Sequence, residues 1–378
     1  MTPLPFEPEV FGISRLASQG GLSQFGLPVW SAIRPNARSF VVTNGKGLTD
    51  EGARLTAAME AAECACAENV EHVVTFWGSL AELQLAGAQV IELATCARFV
   101  GQSFDPHRSR GWVKGTSWPD REDIYAPFEL VGLDYRVGFE TWDHDSFIMG
   151  SGGLAAHVSI DGARLHALRE LIEQEARLFL TTIPGYARKR RRFDPRAVLP
   201  DPCMAVLERL DALGISAELI DATTDIGVPV VLAVLHERGD MTNARFSRAG
   251  GCACAPTHTE AAANAFFEAI QTSVTDIAGA RDDLSLECYT YRTAPSPQPR
   301  SAVTLPESKS IGETSEALCA ALARVGLAQV VWFDLSPPSK EVVCVRAIVP
   351  GLECLAEADR KPRRGIRFNL RAILAEFL

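Results

Sequence analysis

The chain has 378 residues, 47% hydrophobic and 22% charged, with a formal net charge of -10 and a pI near 5.3. That balance supports a globular protein with a sizeable core. Its acidity excludes the clustered positive charge that nucleic acids and anionic membranes reward. The longest apolar stretch, Val228 to Leu235, falls well short of the roughly 20 residues that cross a bilayer. Met1-Thr2-Pro3-Leu4-Pro5 has neither the positive start nor the apolar run of a secretory signal. The ten cysteines therefore read as reduced thiols of a cytoplasmic protein. The C-x-C pairs Cys64/Cys66 and Cys252/Cys254 lack the spacing of structural zinc sites and read as small core residues.

In chain order, Ser39–Thr43 reads as a strand ending in the turn Asn44-Gly45-Lys46-Gly47. A helix is predicted from Thr49 to about Asn69, with Thr49 as N-cap, Asp50 and Glu51 in the first turn and an Ala-rich interior. Val73–Trp77 is a strand candidate. A second helix is predicted from Ser159 or Asp161 to Leu180. The basic run Arg188–Arg192 is assigned to a solvated loop. Val230–Leu235 is a continuous apolar run, as expected of a strand buried on both faces, and Pro229 fits at its start. A third helix should run from Thr257 or Thr259 to about Asp276. Tyr291–Pro306, rich in Pro, Ser and Thr, reads as a surface connection. A helix near Glu313–Val325, strands at Gln329–Asp334 and Glu341–Val349, and a short helix ending at Leu378 complete the chain.

The three long helices share one feature. They carry Glu60 and Glu63, Glu170 and Glu173, and Glu268 and Gln271. An i, i+3 spacing puts each pair on one helix face. Their neighbours are apolar, including Met59, Leu171, Ile172, Phe267 and Ile270. Carboxylates in such settings are costly unless something positive meets them. Hard divalent cations take oxygen ligands, and magnesium in particular pairs one or two carboxylates with substrate phosphates. Glu60, Glu63, Glu170, Glu173 and Glu268 are thus candidate ligands for more than one Mg2+, with a nucleotide triphosphate as the remaining ligand. The competing reading is three exposed helix faces, each bridged to Lys or Arg.

Phe11-Gly12-Ile13-Ser14-Arg15, Gly26–Trp30, Arg34-Pro35-Asn36-Ala37-Arg38-Ser39 and Thr43-Asn44-Gly45-Lys46-Gly47, followed by the Glu60/Glu63 helix, resemble the opening of a YcaO domain. Ser151-Gly152-Gly153-Leu154-Ala155 with the Glu170/Glu173 helix is similar to that family's central block. Glu268 through Gln271 to Ala278-Gly279-Ala280-Arg281-Asp282-Asp283 is similar to its third. The resemblance implies an α+β fold in one domain over 1–378, with β-sheet layers and long helices lining an ATP and metal cleft. Its core motifs lie at about 10–285, followed by an α/β extension at about 305–378.

The resemblance also implies ATP-dependent phosphorylation of a peptide backbone amide oxygen, then attack by a nucleophile. A Cys, Ser or Thr side chain would give an azoline, sulfide a thioamide and ammonia an amidine. Arg15, Lys46, Gln271 and Arg281 join the carboxylates as the implied ATP-binding set, and no catalytic Ser, Cys or His is assigned. The Gly250-Gly251-Cys252-Ala253-Cys254 turn and Gly279–Asp283 look closest to the subgroup that makes thioamides with a TfuA partner. The expected partners are a peptide or protein substrate, a TfuA-like protein and a second copy of the chain, with neither nucleic acid nor membrane.

Departures from the pattern cluster around the site. Where the family usually places Arg after each helix pair, this chain has Cys64, Gln174 and Ser273. Val158 and Gly162 replace a usual Asn and Glu, and Gly152 another Asn. Arg contacts to transferring phosphates are worth several powers of ten in rate. Two alternatives to thioamidation therefore stand beside it: a catalytically degenerate member that binds a peptide or partner, and an azoline-forming cyclodehydratase. His157, His166 and His258 read as structural.

Overall fold

The computed structural model describes residues 3–22, 24–96, 104–136, 142–143, 146–183, 185–238, 248–279, 310 and 312–352. Arg281, the 291–306 connection and the C-terminal helix lie outside these residues. In chain order the strands are β1 (Arg15–Ser18), β2 (Val29–Ile33), β3 (Val42–Lys46), β4 (Phe76–Gly78), β5 (Arg110–Trp118), β6 (Asp123–Pro127), β7 (Leu154–His157), β8 (Arg192–Phe193), β9 (Ile215–Asp221), β10 (Val230–Glu237), β11 (Ala249–Cys254), β12 (Val330–Asp334) and β13 (Val343–Ile348). The longer helices are α1 (Asp50–Ala67), α2 (Ile160–Thr182), α3 (Asp201–Ala212), α4 (His258–Ala278) and α5 (Ser315–Arg324).

The strands form three sheets, ordered β1-β2-β3, β11-β10-β9-β8 and β4-β5-β12-β13-β7, with β6 added on β5. Strand pairing within them is antiparallel, so the fold is α+β as expected. The two C-terminal strands lie inside the third sheet, between β5 and β7, and form no outer layer. None of the described helices is long and apolar enough to cross a membrane.

Each of the three carboxylate-bearing helices begins at a hydroxyl cap. Thr49 Oγ1 accepts from Gly52 N–H at 3.1 Å, Ser159 Oγ from Gly162 N–H at 3.2 Å, and Thr257 Oγ1 from Glu260 N–H at 3.2 Å. These bonds satisfy amides that the first turn leaves open. Helix α4 stops at Gly279, whose φ of 56° lies in the left-handed region that glycine enters without steric cost.

The helices then divide the interior among themselves. Helix α1 lies on β2 and β3 and also touches β7. Helix α2 lies on β7 and β13 and reaches β10 and β11, while α4 lies on β10 and β11 and reaches β3. Each helix therefore bridges two sheets, and the three close a ring of contacts around a shared interior. Apolar clusters hold the arrangement: Leu168 and Ile172 against Val345, Ala58 and Ala62 beside Phe333, and Phe266 and Ile270 with Val231.

Glycine sets how closely two of these helices approach. A Cβ on Gly45 would lie 2.1 Å from Ala57 N, and one on Gly251 2.3 Å from Ala269 N. Both obstacles are helix backbone, which cannot swing aside. Gly45→Ala is expected to destabilise the chain by about 3 kcal/mol, read as a lower midpoint in urea unfolding. Unchanged stability would mean that α1 can slide freely on β3.

The Asn44-Gly45-Lys46 segment, expected as a turn, is the second half of β3, which starts later than predicted. Gly45 makes room for α1, and buried Asn44 accepts from Ser31 Oγ at 2.6 Å through Oδ1, while its Nδ2 has no partner among the described residues. The Val73–Trp77 strand shrinks to Phe76–Gly78, because Val73 N–H and Val74 N–H bond back to Asn69 O and Val70 O in a helical turn. The basic run forms a short helix, Gly185–Arg190, and leads into β8. Arg192 enters that strand buried, its Nε 2.8 Å from Glu218 Oε1.

Candidate active site

The ring of helices surrounds two cavities of about 400 and 410 Å³ that share Lys46, Glu60 and Glu170 in their walls. Glu63, Cys64 and His166 complete one end. Glu173, Gln174, Arg177, Glu268 and Gln271 line the other. The structure thus brings together all six helix residues singled out by their spacing, one pair from each helix.

Contacts between elements aim these side chains. Glu63 Oε2 accepts from Ala156 N–H of β7 at 2.9 Å, and Glu170 Oε2 from Gly153 N–H at 3.1 Å. Lys46 Nζ lies 3.8 Å from Glu268 Oε2. Gln271 Nε2 donates to Asn44 O at 3.2 Å, fastening α4 to β3.

The electrostatics are strained. Burial, then the charges of Glu170 and Glu60, raise the Glu63 carboxyl well above its usual range. Glu173 is raised by burial, then by Glu268 and Glu170, against the pull of Arg177 and Lys46. Burial pushes Glu170 up to about 7, although Arg346 on β13 opposes it. Five carboxylates thus share their cavities with Lys46 and Arg177, and Glu170 also feels the charge of Arg346. Neutral thiols flank them, since burial and the same carboxylates push Cys64 and Cys252 up; buried thiols of this kind are poor nucleophiles.

Arg15 is exposed on β1, outside the walls of both cavities. Arg38 donates to Glu68 O at 3.1 Å, and Arg34 forms a buried ion pair with Glu68 at 2.5 Å, so this motif braces the end of α1. Arg177 and Arg346 were missed by sequence reading. Arg177 stands four residues after Glu173, a spacing that could have been noticed, whereas Arg346 arrives on a strand far along the chain.

The departures around the site fit one another. Gln174 Nε2 donates to Glu170 Oε1 at 3.1 Å, and a Cβ at Gly152 would lie 2.4 Å from Gln174 Oε1. A Cβ at Gly162 would lie 2.1 Å from His157 Nδ1. The two small residues therefore make space for Gln174 and His157. Val158 is exposed, and Ser273 is buried outside both cavity walls.

The donor set is oxygen-rich and suits a hard cation. Raised carboxyls facing water-sized space are what such a cation would ionise and stabilise. Among the described residues, no three His, Cys, Asp or Glu side chains stand close enough to hold an ion unaided. Magnesium does not require that, since it commonly keeps waters and phosphate oxygens beside one or two carboxylates. The residues present fit it.

A protein in the tfuA 3' region of Rhizobium leguminosarum bv. trifolii is 33% identical over 365 residues, covering 91% of this chain and 84% of that protein. A Methanothermobacter thermautotrophicus protein is 26% identical, covering 96% and 95%. Among solved structures, YcaO from Methanopyrus kandleri bound with AMPPCP and Mg2+ has a TM-score of 0.64 at 19% identity, covering 94% of this chain and 96% of that one. A heterocyclase in complex with substrate and cofactor has a TM-score of 0.73 at 17% identity; the match covers 97% of this chain and 52% of that one. These likenesses show the fold. The sequence profile described as YcaO cyclodehydratase, ATP- and Mg2+-binding, matches residues 44–353, a span that contains all three helix pairs, and the chain belongs to the YcaO family, whose cofactors are ATP and Mg2+.

Proposed function

We propose that this chain activates a peptide backbone amide with ATP and Mg2+ and, with a TfuA-like partner, converts it to a thioamide. The observation that carries the reading is the convergence of Glu60, Glu63, Glu170, Glu173 and Glu268 on two joined cavities. In it, these five side chains hold Mg2+, and Lys46, Gln271, Arg15 and Arg281 join them around ATP, the last two on their place in the family pattern. When bound, ATP supplies the phosphoryl group that makes an amide oxygen a leaving group, and Mg2+ spreads the charge of that transfer. The protein's own part is positioning: Gly153 N–H and Gln174 orient Glu170, Ala156 N–H orients Glu63, and the Gln271–Asn44 bond holds α4 beside β3. Support for thioamidation comes from the tfuA-region relative and from the third-block resemblance. A homodimer in the cytoplasm is the setting we propose.

A second reading, a peptide- or partner-binding module without turnover, is favoured by Cys64, Gln174 and Ser273. None of these offers the planar donors of Arg. Lost charge of that kind falls first on turnover, because the transition state needs more stabilisation than the ground state. ATP hydrolysis by the isolated chain is expected to be slow and to rise at least tenfold with a TfuA-like protein and a peptide substrate. Fast hydrolysis by the chain alone would show that these positions do not limit the rate. Absence of hydrolysis in every combination would favour the binding module, and the peptide's mass change would separate thioamide from azoline.

A further inference from the structure

A third chamber, of about 270 Å³, adjoins the two carboxylate cavities. It shares Phe40 and Ser151 with the first and Gln174 with the second. Its character is different: Leu130, Ile148, Leu171, Ile348 and Val349 line it, Arg346 is the cation in its wall, and none of the five site carboxylates lines it. At about 30 Å³ per water, the space equals roughly nine waters, enough for one large side chain. Apart from Arg346 the wall offers a triphosphate little beyond apolar surface, and most of its charge would be stripped of water there. Two polar groups, Ser151 and Gln174, sit where the chambers meet. Gln174 Nε2 is already committed to Glu170, while Gln174 Oε1 is buried without a hydrogen-bond partner among the described residues. An apolar pocket with a few convergent polar groups at its rim is the usual form of a small-ligand site.

We propose that this chamber receives the apolar side chain of the substrate residue beside the modified amide, with Gln174 Oε1 accepting from a peptide N–H. The occupant follows from continuity: a group seated here hangs from a backbone that must pass Ser151 and Gln174 into the carboxylate cavities. The inference rests on the peptide-modifying reading and adds a substrate preference for leucine-like residues next to the amide. Glycine at that place would leave the apolar part of the wall wet, and lysine would bring a second positive charge beside Arg346.

The probe is an acetylated Gly-Leu-Gly amide whose leucine carries a photoreactive diazirine, applied to the full chain with magnesium and a non-hydrolysable ATP analogue. Labelling is expected on segments 130–135, 148–152 and 346–352. Unlabelled Gly-Leu-Gly amide should compete at least tenfold better than its triglycine or Gly-Lys-Gly counterparts, as burial of a leucine side chain predicts. Ile148→Trp and Thr95→Trp fill the chamber from different walls and should each cut labelling at least tenfold. Magnesium-dependent nucleotide binding, measured in parallel by calorimetry, should survive both substitutions and so reports folding. Labelling elsewhere, no labelling, equal competition by triglycine, or full labelling of both filled variants would overturn the proposal. Loss of nucleotide binding by the unsubstituted chain would instead strike the ATP reading, leaving the leucine preference to be judged on the labelling alone.

Discussion

Glu173→Ala should weaken magnesium-ATP binding by on the order of 100-fold while making the metal-free chain more stable. The first effect follows from removing a hard oxygen ligand; even residues that merely orient metal ligands commonly cost 10- to 100-fold in affinity, about the scale expected here. The second follows from the site's charge. Burial, Glu268 and Glu170 all disfavour an ionised Glu173, with Arg177 and Lys46 opposing them. Glu173 lines an open cavity, so truncation leaves no void in a packed core, and relief of the buried charge is expected to contribute about 1 kcal/mol. Opposite signs in the two measurements distinguish a ligand from a residue that supports the fold, whose loss would lower both. Glu60→Ala, in the wall shared by both cavities, should weaken binding similarly. Titration calorimetry supplies the affinities and thermal unfolding in a chelator the stabilities; unchanged affinity in both variants would make these carboxylates structural.

Raising the pH should destabilise the metal-free chain and strengthen its hold on magnesium. Glu170 titrates near 7 in the folded chain, against 4.5 ordinarily. Between those values the unfolded chain has released a proton that the folded chain keeps, so the folded state loses ground as pH rises through the window. For Glu170 alone the loss by pH 7 and above is on the order of 3 kcal/mol. Glu63 and Glu173 are shifted in the same direction. Magnesium binds the ionised form, so below pH 7 its affinity should fall about tenfold per unit for each ligand still protonated. Unfolding midpoints with chelator and with magnesium should therefore converge in acid and separate above neutrality. Parallel curves across that range would show that the metal does not meet these carboxylates.

The departures from the family pattern gain their meaning in three dimensions. Read along the chain, Gly152, Gln174 and Gly162 look like independent losses. In the folded chain Gln174 occupies the space a side chain at 152 would need and hydrogen-bonds Glu170, while His157 fills the space over Gly162. A larger residue at 152 or 162 would run into Gln174 or His157, so position-by-position reading counted three defects where the structure has two fitted replacements.

What the sequence by itself determined was local. Thr49 announced the first helix start, and the other two starts fell at the earlier of the two places the sequence offered, Ser159 rather than Asp161 and Thr257 rather than Thr259, because a cap bonds amides two or three positions away. The i, i+3 carboxylate pairs were legible for the same reason, since one helix turn decides which side chains share a face. Only the tertiary structure decided that the three faces meet, that Asn44 and Gly45 lie in a strand, and that Arg346 reaches Glu170. Each of those depends on partners far apart in the chain: Asn44 Oδ1 accepts from Ser31 and Gly45 admits α1, while Arg346 rides on β13, paired to β7. No property of a short segment encodes such pairings, because their free energy comes from burial and hydrogen bonds that exist only once the distant segment is in place.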